Sequence, residues 1–136
     1  MRIAVDANLL LRLVLQDDET QARIAADELS RADRVVLPIV ALCEFVWVLR
    51  KGYGLPREAI AASLRDVIET DSTVYDEAAV HAGLDVLEAG GDFADGVIAY
   101  LGEVQGAEML VTFDRDAVKR LTGLDRPARL AGAAPA

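Results

Sequence analysis

At 136 residues, 53% of them apolar, the chain is long enough for one self-supporting core, and its single cysteine excludes an internal disulfide. No apolar run reaches the ~20 residues that a bilayer-spanning helix needs, because the longest, residues 39–49, is interrupted by Glu44. A net charge of −9 excludes the simplest kind of nucleic-acid binder, one relying on a broad basic surface to displace phosphate counterions.

Short apolar runs alternate with longer segments of helical period, a βαβ pattern that predicts an α/β sandwich: a central parallel sheet of four to five strands between helices. The first strand is read at residues 2–6 and runs into a helix starting near Asn8. A helix over 19–32 and a strand over 34–37 follow, then an apolar helix from Ile39 to about Lys51, closed by Gly52-Tyr53-Gly54. Pro56 opens the next helix, with Ile60, Leu64, Val67 and Ile68 on one stripe. A short strand at 72–74 leads to a helix capped by Asp76 and closed by Gly90-Gly91. An apolar helix after Asp92, a strand over 108–112, a helix containing Val118 and Leu121, and an edge strand at 128–130 complete the pattern. Residues 1–130 are expected to form a single domain and 131–136 a disordered tail. The amino terminus enters a strand without the pattern of a signal peptide, which points to a cytoplasmic protein with no membrane association. Cys43 reads as a packed, inert thiol, and His81 as a surface or packing residue.

Four acidic positions stand out against this frame. Asp6 closes the first strand, at the carboxyl end where open α/β sheets place ligands, although it serves equally well as the N-cap of the following helix. Glu44 sits inside a helix apolar on nearly every face; burial there would cost several kcal/mol unless a cation compensates it, and the alternatives are an ion pair with an arginine such as Arg12 or a partly exposed Glu. Asp92 and Asp95 precede and enter the first turn of another apolar helix, whose amino terminus favours negative groups; Asp95 is read as the ligand and Asp92 as a cap or outer support, an assignment that could be exchanged. Asp114 follows the strand ending in Thr112, with Asp116 two residues on as the more solvated neighbour. Each acid alone has an ordinary structural explanation, but together they are explained by convergence on a hard cation. Oxygen donors without His or Cys select Mg2+ or Mn2+ over zinc, and with neither a histidine base nor a serine triad the remaining chemistry is metal-activated water attacking a phosphodiester. Eight basic residues (Arg2, Arg12, Arg50, Lys51, Arg57, Arg115, Lys119 and Arg120) are the candidates for gathering phosphate near such a site.

Val5-Asp6-Ala7-Asn8, Glu44 in its apolar helix, Asp92-Phe93-Ala94-Asp95 before Val97-Ile98-Ala99, and Thr112-Phe113-Asp114, in this order, resemble the PIN-domain family over nearly the whole chain. Within it the chain looks like the VapC-type toxins of bacterial toxin–antitoxin pairs. The resemblance implies a PIN fold and a Mg2+- or Mn2+-dependent endoribonuclease held inactive by a cognate antitoxin. It also implies that Asp6, Glu44, Asp95 and Asp114 are the acidic quartet, with Asn8 and Thr112 matching nearby polar positions, and that the protein forms a homodimer. One departure is Gly96, where relatives more often carry alanine, which is expected to loosen the helix start.

Three further readings stand beside this one. A PIN-fold nuclease that processes RNA without an antitoxin would carry the same acids. A receiver-like, magnesium-binding phosphoacceptor module would be similarly small and acidic, but it needs an acidic pair after the first strand and a late lysine, whereas Asp6 stands alone. A dehalogenase-like phosphatase fails in the same way, since Asp6-Ala7-Asn8 lacks a second aspartate.

Overall fold

The computed structural model describes residues 1–133; the remainder of the expected tail, 134–136, lies outside the described residues. Two compact units divide the chain, Met1–Asp76 and a second beginning at Glu77.

In the first unit β1 (Arg2–Ala4), β2 (Arg34–Val36) and β3 (Thr73–Val74) form a parallel ladder in that order, with Ile3 opposite Val35 and Val36 opposite Val74. Parallel strands need crossovers, and helices supply them. Asp6 starts α1 (Ala7–Leu15), which ends where Gln16 adopts a left-handed conformation; Asp18 caps α2 (Glu19–Arg31) by accepting from Gln21 N at 3.0 Å. α3 (Ile39–Trp47) continues into a π-helical turn over Val48–Gly52, where the expected helix ran unbroken to Lys51. The chain turns at Gly54 (φ +64°) and Pro56 leads into α4 (Arg57–Ile68). α1 packs on α2 and α3, and α3 on α4, around buried Leu10, Leu37, Leu42, Phe45, Ile60 and Leu64.

In the second unit α5 (Glu77–Glu88) packs along α6 (Phe93–Val104), and β4 (Leu110–Thr112) pairs in parallel with β5 (Ala128–Leu130) across α7 (Arg115–Gly123). Val86, Leu121 and Ala128 form a buried cluster there. The α5 and α6 backbones approach closely at two glycines. A Cβ on Gly96 would lie 2.2 Å from the Ala82 carbonyl oxygen, and one on Gly83 2.6 Å from the Phe93 ring. The expectation that Gly96 loosens the start of α6 is therefore corrected: the missing side chain is what lets the two helices meet.

Among the described residues strands form at the five expected places and every ladder is parallel, so the fold is α/β; the expected central sheet of four to five strands is corrected to a sheet of three in the first unit and one of two in the second, because the fourth and fifth strands pair with each other. No described helix is long and apolar enough to cross a membrane.

Candidate metal site

In the first unit Asp6 stands two residues beyond the end of β1 in extended conformation (φ −96°, ψ 175°), and its Oδ1 accepts from Leu9 N at 3.0 Å. The helix-capping role is realised, and it engages only one carboxylate oxygen. Asn8 lies in the first turn of α1, exposed. Glu44 departs from expectation. The core-facing residues of α3 are Ala41, Leu42, Phe45 and Val46, so Glu44 falls on the opposite stripe with Val40 and Trp47, which are 75% and 62% exposed. Glu44 is itself exposed, and the argument that burial demands a compensating cation does not apply to it. Nor does Arg12 serve as its partner. The Arg12 guanidinium bonds Asp17 at 2.9 and 3.1 Å, and a hydrogen bond with Tyr53 followed by the Asp17 charge holds it more firmly protonated.

The second unit is more concentrated. Asp92 occupies the N-cap of α6 without making the capping bond, and Asp95 sits in the first turn, partly buried, its amide donating to the Asp92 carbonyl at 3.1 Å. Asp114 follows β4 and caps α7: its Oδ1 accepts from Ala117 N at 3.0 Å, while its own amide donates to Thr112 Oγ1 at 3.1 Å. Thr112 thus holds the backbone of the acid it precedes, and Asp116 is exposed in the first turn of α7. Burial above all, and then the charges of Asp92 and Asp114, raise the Asp95 carboxyl above the usual carboxylate range. Three acids from two helix starts therefore share one field.

Among the described residues no group of three or more His, Cys, Asp or Glu side chains is gathered closely enough to hold a metal ion. The donor chemistry nevertheless fits a hard divalent cation. The acids are all oxygen donors, and a partly buried carboxylate repelled by two others is the arrangement a cation relieves. Burial raises the Cys43 thiol, keeping it protonated and unreactive, and His81 is exposed on α5.

Two of the candidate cations are engaged inside their own units. Arg12 is taken up by Asp17, and Arg120 donates to the Ala89 carbonyl oxygen, a bond read from sequence only as a phosphate contact. Its signal was position: Arg120 is three residues after buried Ala117 and adjacent to buried Leu121, on the flank of the stripe of α7 that faces the protein. Arg115 and Lys119 are exposed one turn apart on the same helix, just after Asp114.

No curated protein matches the chain closely enough to count as a relative. A family model does: the one described as PIN domain matches residues 3–124, spanning both units and every acid considered above. That match sets aside the receiver and phosphatase alternatives. The chain belongs to the PIN domain family, whose fold is that of a metal-dependent nuclease.

Proposed function

We propose that the protein is a Mg2+- or Mn2+-dependent endoribonuclease, the toxin of a VapBC-type pair, with Asp6, Glu44, Asp95 and Asp114 as its metal-binding acids. It acts in the cytoplasm as a homodimer whose activity a cognate antitoxin silences, and residues 1–130 work as a single nuclease domain. The observation that carries the nuclease reading is the surroundings of Asp95, a partly buried carboxylate facing the charges of Asp92 and Asp114 at the start of a helix. Such a group is unfavourable as an anion without a cation beside it and useful with one. Asp6 and Asp114 support the reading because each follows a strand and keeps one carboxylate oxygen outside its capping bond.

A bound divalent cation would supply an activated water and stabilise charge developing on the phosphate. The chain's own contributions are separate. Asp95 and Asp114 present oxygens, Thr112 holds the Asp114 backbone, Asn8 and Asp92 support from adjoining positions, and Asp116 stays solvated. Arg115 and Lys119, exposed after Asp114, meet the phosphates that the acidic surface would otherwise repel. The protein partners are supported by the exposed apolar side chains of α3, Val40 and Trp47, which flank Glu44.

The test is RNA cleavage with Mg2+ by wild type, Asp6→Asn and Asp95→Asn. Both variants are expected to lose activity; cleavage at the wild-type rate by either removes that acid from the machinery. A short upstream reading frame encoding a DNA-binding amino terminus, whose product abolishes cleavage when co-expressed, supports the toxin role. An isolated gene favours RNA processing instead.

A further inference from the structure

We infer that Arg120 is a positioning residue: it clamps the α5–α6 turn against α7, and so sets the start of α6, with Asp95, relative to the start of α7, with Asp114. The inference rests on the reading of these acids as metal ligands.

After α5 the chain reverses within three residues, Ala89, Gly90 and Gly91, before Asp92 opens α6. Gly90 has φ +98°, its amide donates to the Leu87 carbonyl at 3.1 Å, and the Gly91 amide donates to the Val86 carbonyl at 2.8 Å. These bonds satisfy two of the carbonyls that a helix leaves open at its end. The Ala89 carbonyl is satisfied from another element, by Arg120 Nη1 at 2.5 Å, and a cation at this spot also complements the negative end of the α5 dipole.

The contact is exposed, but the turn packs closely on the side chain. A Cβ on Gly90 would lie 3.0 Å from Arg120 Nη1 and 3.2 Å from Cζ, and one on Gly91 would lie 2.6 Å from Arg120 Cδ. The turn therefore lies flush along the whole side chain, stem and guanidinium both. Along the chain the clamp is evenly placed: Ala89 is six residues before Asp95, and Arg120 six residues after Asp114. At ~1.5 Å of rise per residue, the guanidinium's helix position lies about 9 Å along α7 from the acid. One side chain joins the two helix starts whose acids share a field, and its rigid planar fork transmits position better than a lysine would.

The test measures Mn2+ affinity of the full chain by titration, alongside RNA cleavage as a function of metal concentration. Arg120→Ala is expected to weaken Mn2+ binding about tenfold or more, the usual consequence of removing support behind metal ligands. Arg120→Lys, which can still donate to the Ala89 carbonyl, should bind more tightly than Arg120→Ala and less tightly than wild type. Leu124→Ala, a partly buried residue packed on the Val86, Leu121 and Ala128 cluster, should lower Tm while leaving affinity within about twofold of wild type. If Arg120→Ala does not fold, Arg120→Met replaces it with the same expectation, since it keeps the stem over Gly91 and removes the donor. Wild-type Mn2+ affinity in Arg120→Ala or Arg120→Met overturns the positioning role, as does an equal loss of affinity in Leu124→Ala. Asp95→Asn, titrated in parallel, separates the two levels of the argument. Loss of binding there with intact binding in the Arg120 variants sinks only the clamp, whereas wild-type binding by Asp95→Asn sinks the metal-site reading itself.

Discussion

The two units carry acids of similar sequence signature in unlike surroundings. Asp6 and Glu44, in the first, are exposed, one occupied with capping a helix and the other standing on an outer stripe. In the second, Asp95 is partly buried and repelled by Asp92 and Asp114, so that its ionisation works against the fold. An acid's position after a strand or within an apolar helix does not tell how much holding its charge costs. Packing decides that, and it makes the second unit the one where a cation has most to relieve.

The largest expected effect would sharpen this difference. Asp95→Asn should reduce Mg2+-dependent RNA cleavage by more than the ten- to hundredfold typical of groups that merely support ligands, by about hundredfold or beyond. Glu44→Gln, if its role is ligation from an exposed helix face, should also impair cleavage, but leave stability within about 0.5 kcal/mol of wild type. Full activity in Glu44→Gln would break the quartet and confine the chemistry to the remaining acids.

Next in size is a change that leaves the acids alone. Gly96→Ala would force a methyl group to within 2.2 Å of the Ala82 carbonyl oxygen, which backbone cannot yield cheaply. Overpacking of this kind costs about 1–3 kcal/mol, enough to lower the melting temperature by several degrees and to move the helix start that carries Asp95. Unchanged stability in this variant would mean that α5 and α6 do not meet at Gly83 and Gly96.

How much of this was legible beforehand follows from which interactions are local. The strand at 128–130 forms as read, and the helix after Asp18 begins at Glu19, because turn residues and caps act on their own neighbours. Asp114 and Thr112 stand out by their place at the end of a strand, and there the Asp114 amide donates to Thr112 Oγ1. The expected burial of Glu44 fails for a physical reason, and the partly exposed alternative holds. Hydropathy counts the apolar residues of α3 but not their azimuth, and Val40, Glu44 and Trp47 share the stripe turned to solvent. The division of the strands into a ladder of three and a ladder of two depends on pairing between distant segments, which no local pattern encodes. The Arg120 clamp was hidden for the same reason, being a bond between residues 31 positions apart.

A smaller effect separates capping from chemistry. Asp6 and Asp114 both cap helices, with oxygen-to-amide distances of 3.0 Å. Replacement of either by alanine should cost about 0.5–2 kcal/mol of stability, whereas asparagine, which caps as well, should cost almost none. If each asparagine variant keeps its Tm and loses cleavage, the carboxylate charge is needed for the reaction and not for the fold. If asparagine and alanine behave alike in both measurements, the acids are structural and the comparison between units collapses to packing.

The subtlest expectation concerns pH, and its sign runs opposite to that of a salt-bridged acid. Burial, and then the charges of Asp92 and Asp114, hold the Asp95 carboxyl above its value in the unfolded chain. Between the unfolded value and the raised one, the folded protein keeps a proton that the unfolded chain has released. Stability of the metal-free protein therefore falls as pH rises across that interval and is level above it; lowering the pH back through the interval restores what was lost. Asp95→Asn removes the ionisation, so the difference in Tm between variant and wild type should grow in the variant's favour as pH rises through the same interval. Mg2+ should act in the same direction on wild type by favouring the ionised carboxylate, raising Tm more at neutral pH than in acid, and should do little to Asp95→Asn. Parallel Tm profiles for wild type and Asp95→Asn from acid to neutral pH, without metal, would show that Asp95 is solvated like Asp6 and that the second unit holds no strained carboxylate for a cation to relieve.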